Sequence, residues 1–330
     1  MEFTPMSECT YIDAIREGLH AVMEEHEEVI MFGQDVGAFG GAFKASKGLQ
    51  EAFGEKRVFD TPICESAMIG SAIGMATQGL RPIVELQFVD FGTTAIHQIL
   101  NNAGTFHYRY GVPVPMTLRA PCGGGFGGGP CHSEELEAIF CHMPGIKVVY
   151  PAFPADARAL LKAAVLDNSP VIFLENKYLY RHLKEKLPDK PETLRLGSAR
   201  VCRTGRDIAI LTYGAMVTES LDAATLVSEE FGYEATVVDM RTLKPYDTDT
   251  ILSAVSIANR VLVVHEGWRT CGFGAELAAF VSEHAFHMLD APVRRLTAPD
   301  TPVPFSPILE KRYRPNAQNI RQAIIDLVEY

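Results

Sequence analysis

Residues 10–32 read TYIDAIREGLHAVMEEHEEVIMF. Ile12, Ile15, Leu19, Val22 and Met23 recur at the three- and four-residue spacing that lines one helical face, and Thr10 with Asp13 three residues on marks a helix start. The run Val29 to Phe32 is apolar throughout, the pattern of a strand buried on both faces. A helix leading into such a strand predicts an α/β protein with a largely parallel sheet covered on both sides. Working outward, helices are predicted over 46–53, 66–77, 93–106, 134–142 and 155–166, and strands over 83–88, 114–118, 147–150 and 171–174. Residues 181–192, RHLKEKLPDKPE, are charged and hold two prolines, which makes them a linker. Beyond it the alternation restarts, with strands over 208–212, 235–238, 260–264 and 293–296 and helices over 217–230, 248–255, 274–284 and 317–328. The expected fold is therefore two tandem doubly wound α/β domains, 1–182 and 196–330, joined by a linker over 183–195.

The whole chain is 330 residues, more than one compact core of roughly 100–200 residues holds. At 47% hydrophobic and 22% charged it lies far from disordered or collagen-like composition. No apolar run reaches the roughly 18–20 residues a bilayer span needs, and Glu2 and Glu8 stand where a signal peptide needs a basic, then apolar, start. No membrane association is expected, and the reading is a cytoplasmic protein, or a mitochondrial matrix protein if a transit peptide has been removed. Met1–Pro5, before Met6, is read either as an added stretch or as a leader remnant, and the sequence leaves the two open. Thirty Lys and Arg against forty-one Asp and Glu give a charge of −11, which repels phosphate backbones and argues against a nucleic-acid partner. The seven cysteines are odd in number and scattered, without a C-x-x-C, as suits reduced thiols.

Four features carry candidate chemistry. Residues 66–78, SAMIGSAIGMATQ, form a helix of small residues, either a buried helix of the fold or a subunit interface. Glu65 precedes it at the tip of a strand, where open α/β sheets place ligands, although a first-turn acid is also simply stabilised by the helix dipole. The run Gly123 to Gly129, GGGFGGG, lacks the Lys-Ser/Thr of a P-loop and the strand-to-helix setting of a dinucleotide fingerprint, so a tight or flexible loop is the better reading. His132 follows it at a helix entrance. Cys122, Cys131, His132, Cys141 and His142 are spaced nine or ten apart across that loop, unlike the close pairs of structural zinc sites.

Several blocks in one order then carry a resemblance over nearly the whole chain: Asp60-Thr61-Pro62-Ile63-Cys64-Glu65, Gly79-Leu80-Arg81-Pro82, His132-Ser133, Pro144-Gly145-Ile146-Lys147-Val148-Val149, Asp239-Met240-Arg241-Thr242-Leu243-Lys244-Pro245, His265-Glu266-Gly267 and Ala298-Pro299-Asp300-Thr301. The sequence resembles the beta subunits of the thiamine diphosphate-dependent decarboxylating component of 2-oxo acid dehydrogenase complexes, the pyruvate, branched-chain and acetoin group of the transketolase-like superfamily. The resemblance implies a pyrimidine-binding domain followed by a transketolase C-terminal-like domain. It implies that Glu65 hydrogen-bonds the aminopyrimidine ring nitrogen, in a desolvated site that raises a carboxyl's pKa. Protonating that nitrogen promotes the tautomer that takes the thiazolium proton. It further implies that Phe91 stacks on the aminopyrimidine, that Gln87 and the Ile63 backbone line the pocket, and that His132 faces the thiazolium and substrate and assists acyl transfer to lipoyl sulfur.

The Gly-Asp-Gly that holds Mg²⁺ and diphosphate in such enzymes does not occur in this chain. The resemblance thus implies an alpha subunit supplying those ligands, a heterotetramer of two alpha and two beta subunits, and docking to a lipoyl acyltransferase core. It also implies a potassium ion on backbone carbonyls matching Met116, Ala164, Val165, Asp167 and Ser169. Where the family commonly has Gly-Glu-Asp/Glu-Val, this chain reads Gly33-Gln34-Asp35-Val36, and a Gln cannot carry a proton as that Glu would. Rival readings are a non-catalytic scaffold of the same fold, which Glu65, Phe91 and His132 together disfavour, and a self-contained transketolase-like synthase, which the missing Gly-Asp-Gly disfavours. Tyr178-Leu179-Tyr180-Arg181 resembles branched-chain and bacterial pyruvate versions alike and leaves the substrate open.

Overall fold

Thr10 caps the first helix in the computed structural model, which describes residues 8–188 and 194–330. Its Oγ1 accepts the Asp13 amide at 3.3 Å, and the helix Tyr11–Glu25 buries Ile12, Ile15, Leu19, Val22 and Met23 as its periodicity requires. The chain divides into two compact units. The first is formed by the described parts of Met1–Pro121 and Met143–Leu196, the second by Cys122–His142 with Gly197–Tyr330.

In the first unit, strands β1 (Val29–Gly33), β2 (Val58–Asp60), β3 (Arg81–Glu85), β4 (Thr117–Cys122), β5 (Lys147–Val149) and β6 (Val171–Asn176) lie in the order β5-β6-β4-β3-β1-β2. β1 runs parallel to β2 and β3, β3 to β4, and β5 to β6. β1, β4 and β6 are buried at every residue, because helices cover both faces of a parallel sheet. Tyr11–Glu25 packs on Pro154–Leu166 at Gly18, where an added Cβ would lie 3.3 Å from Leu161. Gly145, at φ +74°, sits against the next backbone so tightly that a Cβ would fall 1.9 Å from the Gly104 carbonyl oxygen.

Three sequence expectations change here. The single helix expected over 93–106 is three pieces: a 3₁₀ turn Val89–Ala95, a π turn Gln98–Ala103 and an α-helix Gly104–Tyr110. Thr93 and Thr94 hydroxyls donate to the carbonyls of Asp90 and Phe91 at 2.8 Å each, the three-residue reach that tightens a turn. The strand expected over 114–118 is shifted to Thr117–Cys122, and the helix expected from 134 begins at Glu137. Within the expected linker, Lys184–Glu185 pairs antiparallel with Cys9–Thr10, and residues 189–193 lie outside the described residues, as do Met1–Pro5.

The helix Glu65–Thr77 buries Met68, Ile69, Ala72, Ile73 and Ala76, and leaves Ala67, Ser71 and Gly74 exposed along its other side. In the second unit, β7 (Arg200–Arg203), β8 (Ile208–Thr212), β9 (Ala235–Asp239), β10 (Val261–Trp268) and β11 (Arg294–Ala298) lie in the order β11-β10-β8-β9-β7. Neighbours are parallel except the edge strand β7, which is antiparallel to β9. No helix among the described residues is long and apolar enough to cross a membrane.

Candidate active site

Glu65 opens its helix directly after Thr61-Pro62-Ile63-Cys64, the loop leaving β2. A first-turn acid in solvent would be a dipole charge only, but Glu65 is 8% exposed and both of its oxygens have partners. Gln34 Nε2, at the end of β1, donates to Glu65 Oε1 at 3.0 Å, and Thr94 Oγ1 lies 3.2 Å from Oε2. Gln34 is 4% exposed, so the pair is screened from water. Beside them Gln87 Nε2 donates to Asp35 Oδ2 at 3.2 Å, and the Phe91 ring meets Phe88 edge-on at 5.9 Å. Ile63, just before Glu65, is 80% exposed. A buried carboxyl, an aromatic ring and a bare apolar side chain near the ends of parallel strands are the kinds of group that suit a flat, basic heterocycle.

The same unit holds a charge cluster that the sequence reading missed. Arg119 on β4 is fully buried; its Nε and Nη2 donate to Glu175 on β6 at 2.7 and 2.8 Å, and its Nη1 to Glu85 on β3. Tyr180 Oη donates to Glu175 Oε2 at 2.7 Å. Burial pushes the Glu85 carboxyl up against the pull of Arg119, and the two carboxylates hold Arg119 firmly charged against its own burial. The visible signal is a charged residue in each of three largely apolar strands, Glu85 at the end of β3, Arg119 within β4 and Glu175 within β6.

Of the carbonyls matched to a potassium site, those of Met116, Ala164, Val165 and Asp167 already have partners. Arg81 Nη1 donates to Val165 O at 2.9 Å and Asp167 O at 3.1 Å, the Ala164 carbonyl accepts the Asp167 amide at 3.3 Å, and the Met116 carbonyl accepts the Val171 amide at 2.9 Å. The Ser169 amide donates to Asp167 Oδ1, and Lys147 Nζ to Asp167 Oδ2. The positive charge a monovalent cation would bring is thus supplied by Arg81 and Lys147, and these residues fit an added potassium ion poorly. Among the described residues no group of three or more His, Cys, Asp or Glu is placed to hold a metal ion.

His132 is half-buried and follows the turn Gly129–Cys131, within the 122–142 segment that groups with the second unit. Five residues on, Glu137 is 1% exposed and accepts Tyr213 Oη at 2.9 Å, with His265 Nδ1 3.7 Å from the same oxygen. Burial raises Glu137, with the charge of Glu266 adding and the Tyr213 bond opposing. His265 is fully buried, neither ring nitrogen has a hydrogen-bond partner, and burial holds its pKa down to about 3, with Arg295 adding.

A depressed histidine binds fewer protons folded than unfolded, so its contribution is full above about pH 6.5 and is lost as pH falls toward 3. The raised Glu137 has the opposite slope. Between pH 7.5 and 5.5 the protein is expected to lose about 1 kcal/mol more than a His265→Asn variant. Denaturant unfolding of both at the two pH values checks this, and equal losses would show that His265 does not resist protonation.

Models of two families match the chain: Transketolase, pyrimidine binding domain over residues 7–182, and Transketolase, C-terminal domain over 197–320. The 2-oxoisovalerate dehydrogenase subunit beta of Bacillus subtilis is 44% identical over 328 residues, covering 98% of this chain and 100% of the relative. The pyruvate dehydrogenase E1 component subunit beta of the same organism is 41% identical over 327 residues, with the same coverage. Among solved structures, a split gene transketolase described as an inactive beta4 tetramer matches with TM-score 0.80 and 22% identity, over 98% of this chain and 99% of that one, a likeness of fold. Matched in both halves, and along nearly its whole length by such beta subunits, the chain belongs to the beta-subunit family of the 2-oxo acid dehydrogenases, built from transketolase pyrimidine-binding and C-terminal domains.

Proposed function

We propose that this chain is the pyrimidine-side half of a thiamine diphosphate-dependent decarboxylating component. With an alpha subunit it removes carbon dioxide from a 2-oxo acid and passes the acyl group to a lipoyl group of an acyltransferase core. The observation that carries this reading is the buried Glu65 carboxyl with a hydrogen-bonding partner beside each oxygen. When bound, thiamine diphosphate supplies the carbon nucleophile that accepts the 2-oxo acid. Gln34 Nε2 can only donate, so a proton on Glu65 belongs on Oε2. Thr94 Oγ1 lies 2.8 Å from the Phe91 carbonyl as well as 3.2 Å from Oε2. Its one hydrogen turns to Oε2 when Glu65 is ionised and to the carbonyl when Glu65 is protonated, leaving a lone pair to accept from the acid. Glu65 therefore keeps a partner in both protonation states, as a general acid must.

Phe91 and Ile63 supply apolar surface for the heterocycle and exclude water, and His132 is assigned to the substrate end, where an imidazole donor steadies developing charge. Magnesium and diphosphate are assigned to the alpha subunit, a division supported by the missing Gly-Asp-Gly and by the exposed small-residue side of Glu65–Thr77, which admits a neighbouring backbone. Named relatives act on 2-oxoisovalerate and on pyruvate at nearly equal identity, so the substrate class proposed is a 2-oxo acid.

The purified chain alone is expected to bind thiamine diphosphate weakly and to turn over no 2-oxo acid, and adding the alpha subunit to restore both. Calorimetric titration and carbon dioxide release measure this. Tight magnesium-dependent binding or turnover by the isolated chain would sink the split-site reading.

A further inference from the structure

The glycine run 123–129 matches no phosphate-binding signature, yet its backbone is shaped to hold an anion. Gly123, Gly125, Gly127 and Gly129 take φ of +78°, +97°, +76° and +67°, while Gly128 lies at −72°. Left-handed glycines at alternate positions, with right-handed Gly128 between the last two, let several N–H groups of one short loop turn toward negative charge, as in an anion nest. The charge is the protein's own. Gly125 and Gly127 donate to Oε1 and Oε2 of Glu310 at 2.8 and 3.0 Å, and Gly124 donates to Glu266 Oε1 at 2.7 Å. Glu310 and Glu266 are 3% and 6% exposed, and Arg314 holds Glu266 through Nε and Nη2 at 2.8 and 3.0 Å. The Gly123 amide closes the loop on the Glu134 carbonyl at 3.1 Å, with His132 inside the closure. The glycines are needed for this approach: a Cβ at 124 would lie 2.8 Å from Glu310 Oε1, and one at 129 would lie 2.2 Å from the Phe305 ring.

We infer that Glu310 is a positioning residue for His132, a tethered carboxylate that fills the nest and fixes the loop carrying the histidine. Glu310 touches no substrate; its effect on the reaction passes through the backbone of 123–132. The inference rests on the assignment of His132 to the reaction.

The test uses the assembled alpha–beta enzyme with Glu310→Ala, with and without added formate, a free carboxylate small enough to replace the lost one. Glu310→Ala is expected to lower kcat for acyl transfer by about 10- to 100-fold, the scale of losing charge-assisted hydrogen bonds, and to leave KM for the 2-oxo acid within about threefold. Formate is expected to restore most of the rate, which a packing defect would not allow. Amide hydrogen exchange over 123–132 is expected to quicken in the variant and slow again with formate. If Glu310→Ala does not assemble, the isosteric Glu310→Gln, which turns an amide N–H₂ toward a backbone N–H, gives the same exchange readout.

Unchanged exchange, or a rate that formate does not move, overturns the inference. A His132→Ala control separates the two claims. Normal turnover in that control removes His132 from the reaction, and the positioning role with it. An impaired His132→Ala beside a normal Glu310→Ala overturns the positioning role alone.

Discussion

Glu65→Gln is expected to leave the assembly intact and to lower decarboxylation by about 100-fold or more, the range for a lost general acid. The amide fits the site in one orientation. Its oxygen takes the place of Oε1 and accepts Gln34 Nε2, while its nitrogen takes the place of Oε2 and donates to Thr94 Oγ1, whose hydrogen already suits the Phe91 carbonyl. Shape, hydrogen bonds and burial all survive, and only the exchangeable carboxyl proton is gone. The decisive measurement is the exchange rate of the cofactor's thiazolium proton in the assembled variant. A near-normal rate there would take Glu65 out of its role, whatever happens to later steps. Gln34 sharpens the case: a Glu at this position would bring two carboxyls to hydrogen-bonding distance and force them to share a proton, whereas the amide brings Glu65 a donor and no second carboxyl.

The second large effect is one of stability. Arg119→Met is expected to destabilise the protein by about 3–5 kcal/mol, because it strands Glu85 and Glu175 together without their buried partner. Methionine fills much of the volume, so the loss is electrostatic rather than a cavity. Its pH dependence follows from the sign of the Glu85 shift. A carboxyl raised by burial binds its proton more tightly folded than unfolded, so its stabilisation is present at low pH and lost as pH rises through the folded value. The variant should therefore be weakest at pH 8 and partly recover toward pH 6. Denaturant unfolding at both values tests this, and a loss under about 1 kcal/mol at pH 8 would mean that water reaches the cluster.

These two residues differ in how far the sequence announced them. Glu65 stands in a recognisable block beside a predicted helix, so its place followed from residues next to it. Arg119 meets Glu85 and Glu175 only when three strands align, and its local trace is nothing more than a charge in an apolar run. The same contrast holds for whole elements. Tyr11–Glu25 is legible because capping and periodicity agree, whereas 89–110 changes from 3₁₀ to π to α turns, the first of them tightened by Thr93 and Thr94 hydroxyls on backbone carbonyls. The glycine loop was readable as a tight turn but not as an anion nest, since its carboxylates come from residues 142 to 185 positions away.

The discontinuity of the second unit bears on how such a protein can be rearranged in evolution. Residues 122–142 lie in sequence inside the first unit, yet they supply the amides that hold Glu266 and Glu310 and the carboxylate that accepts Tyr213. A crossover at the linker would inherit β7 to β11 with Glu310 and Tyr213 deprived of these partners and Glu266 deprived of the Gly124 amide, though still held by Arg314. The C-terminal half is therefore no simple cassette: gene shuffling at the obvious seam is expected to cost stability unless residues 122–142 travel together with 197–330, as one inherited piece.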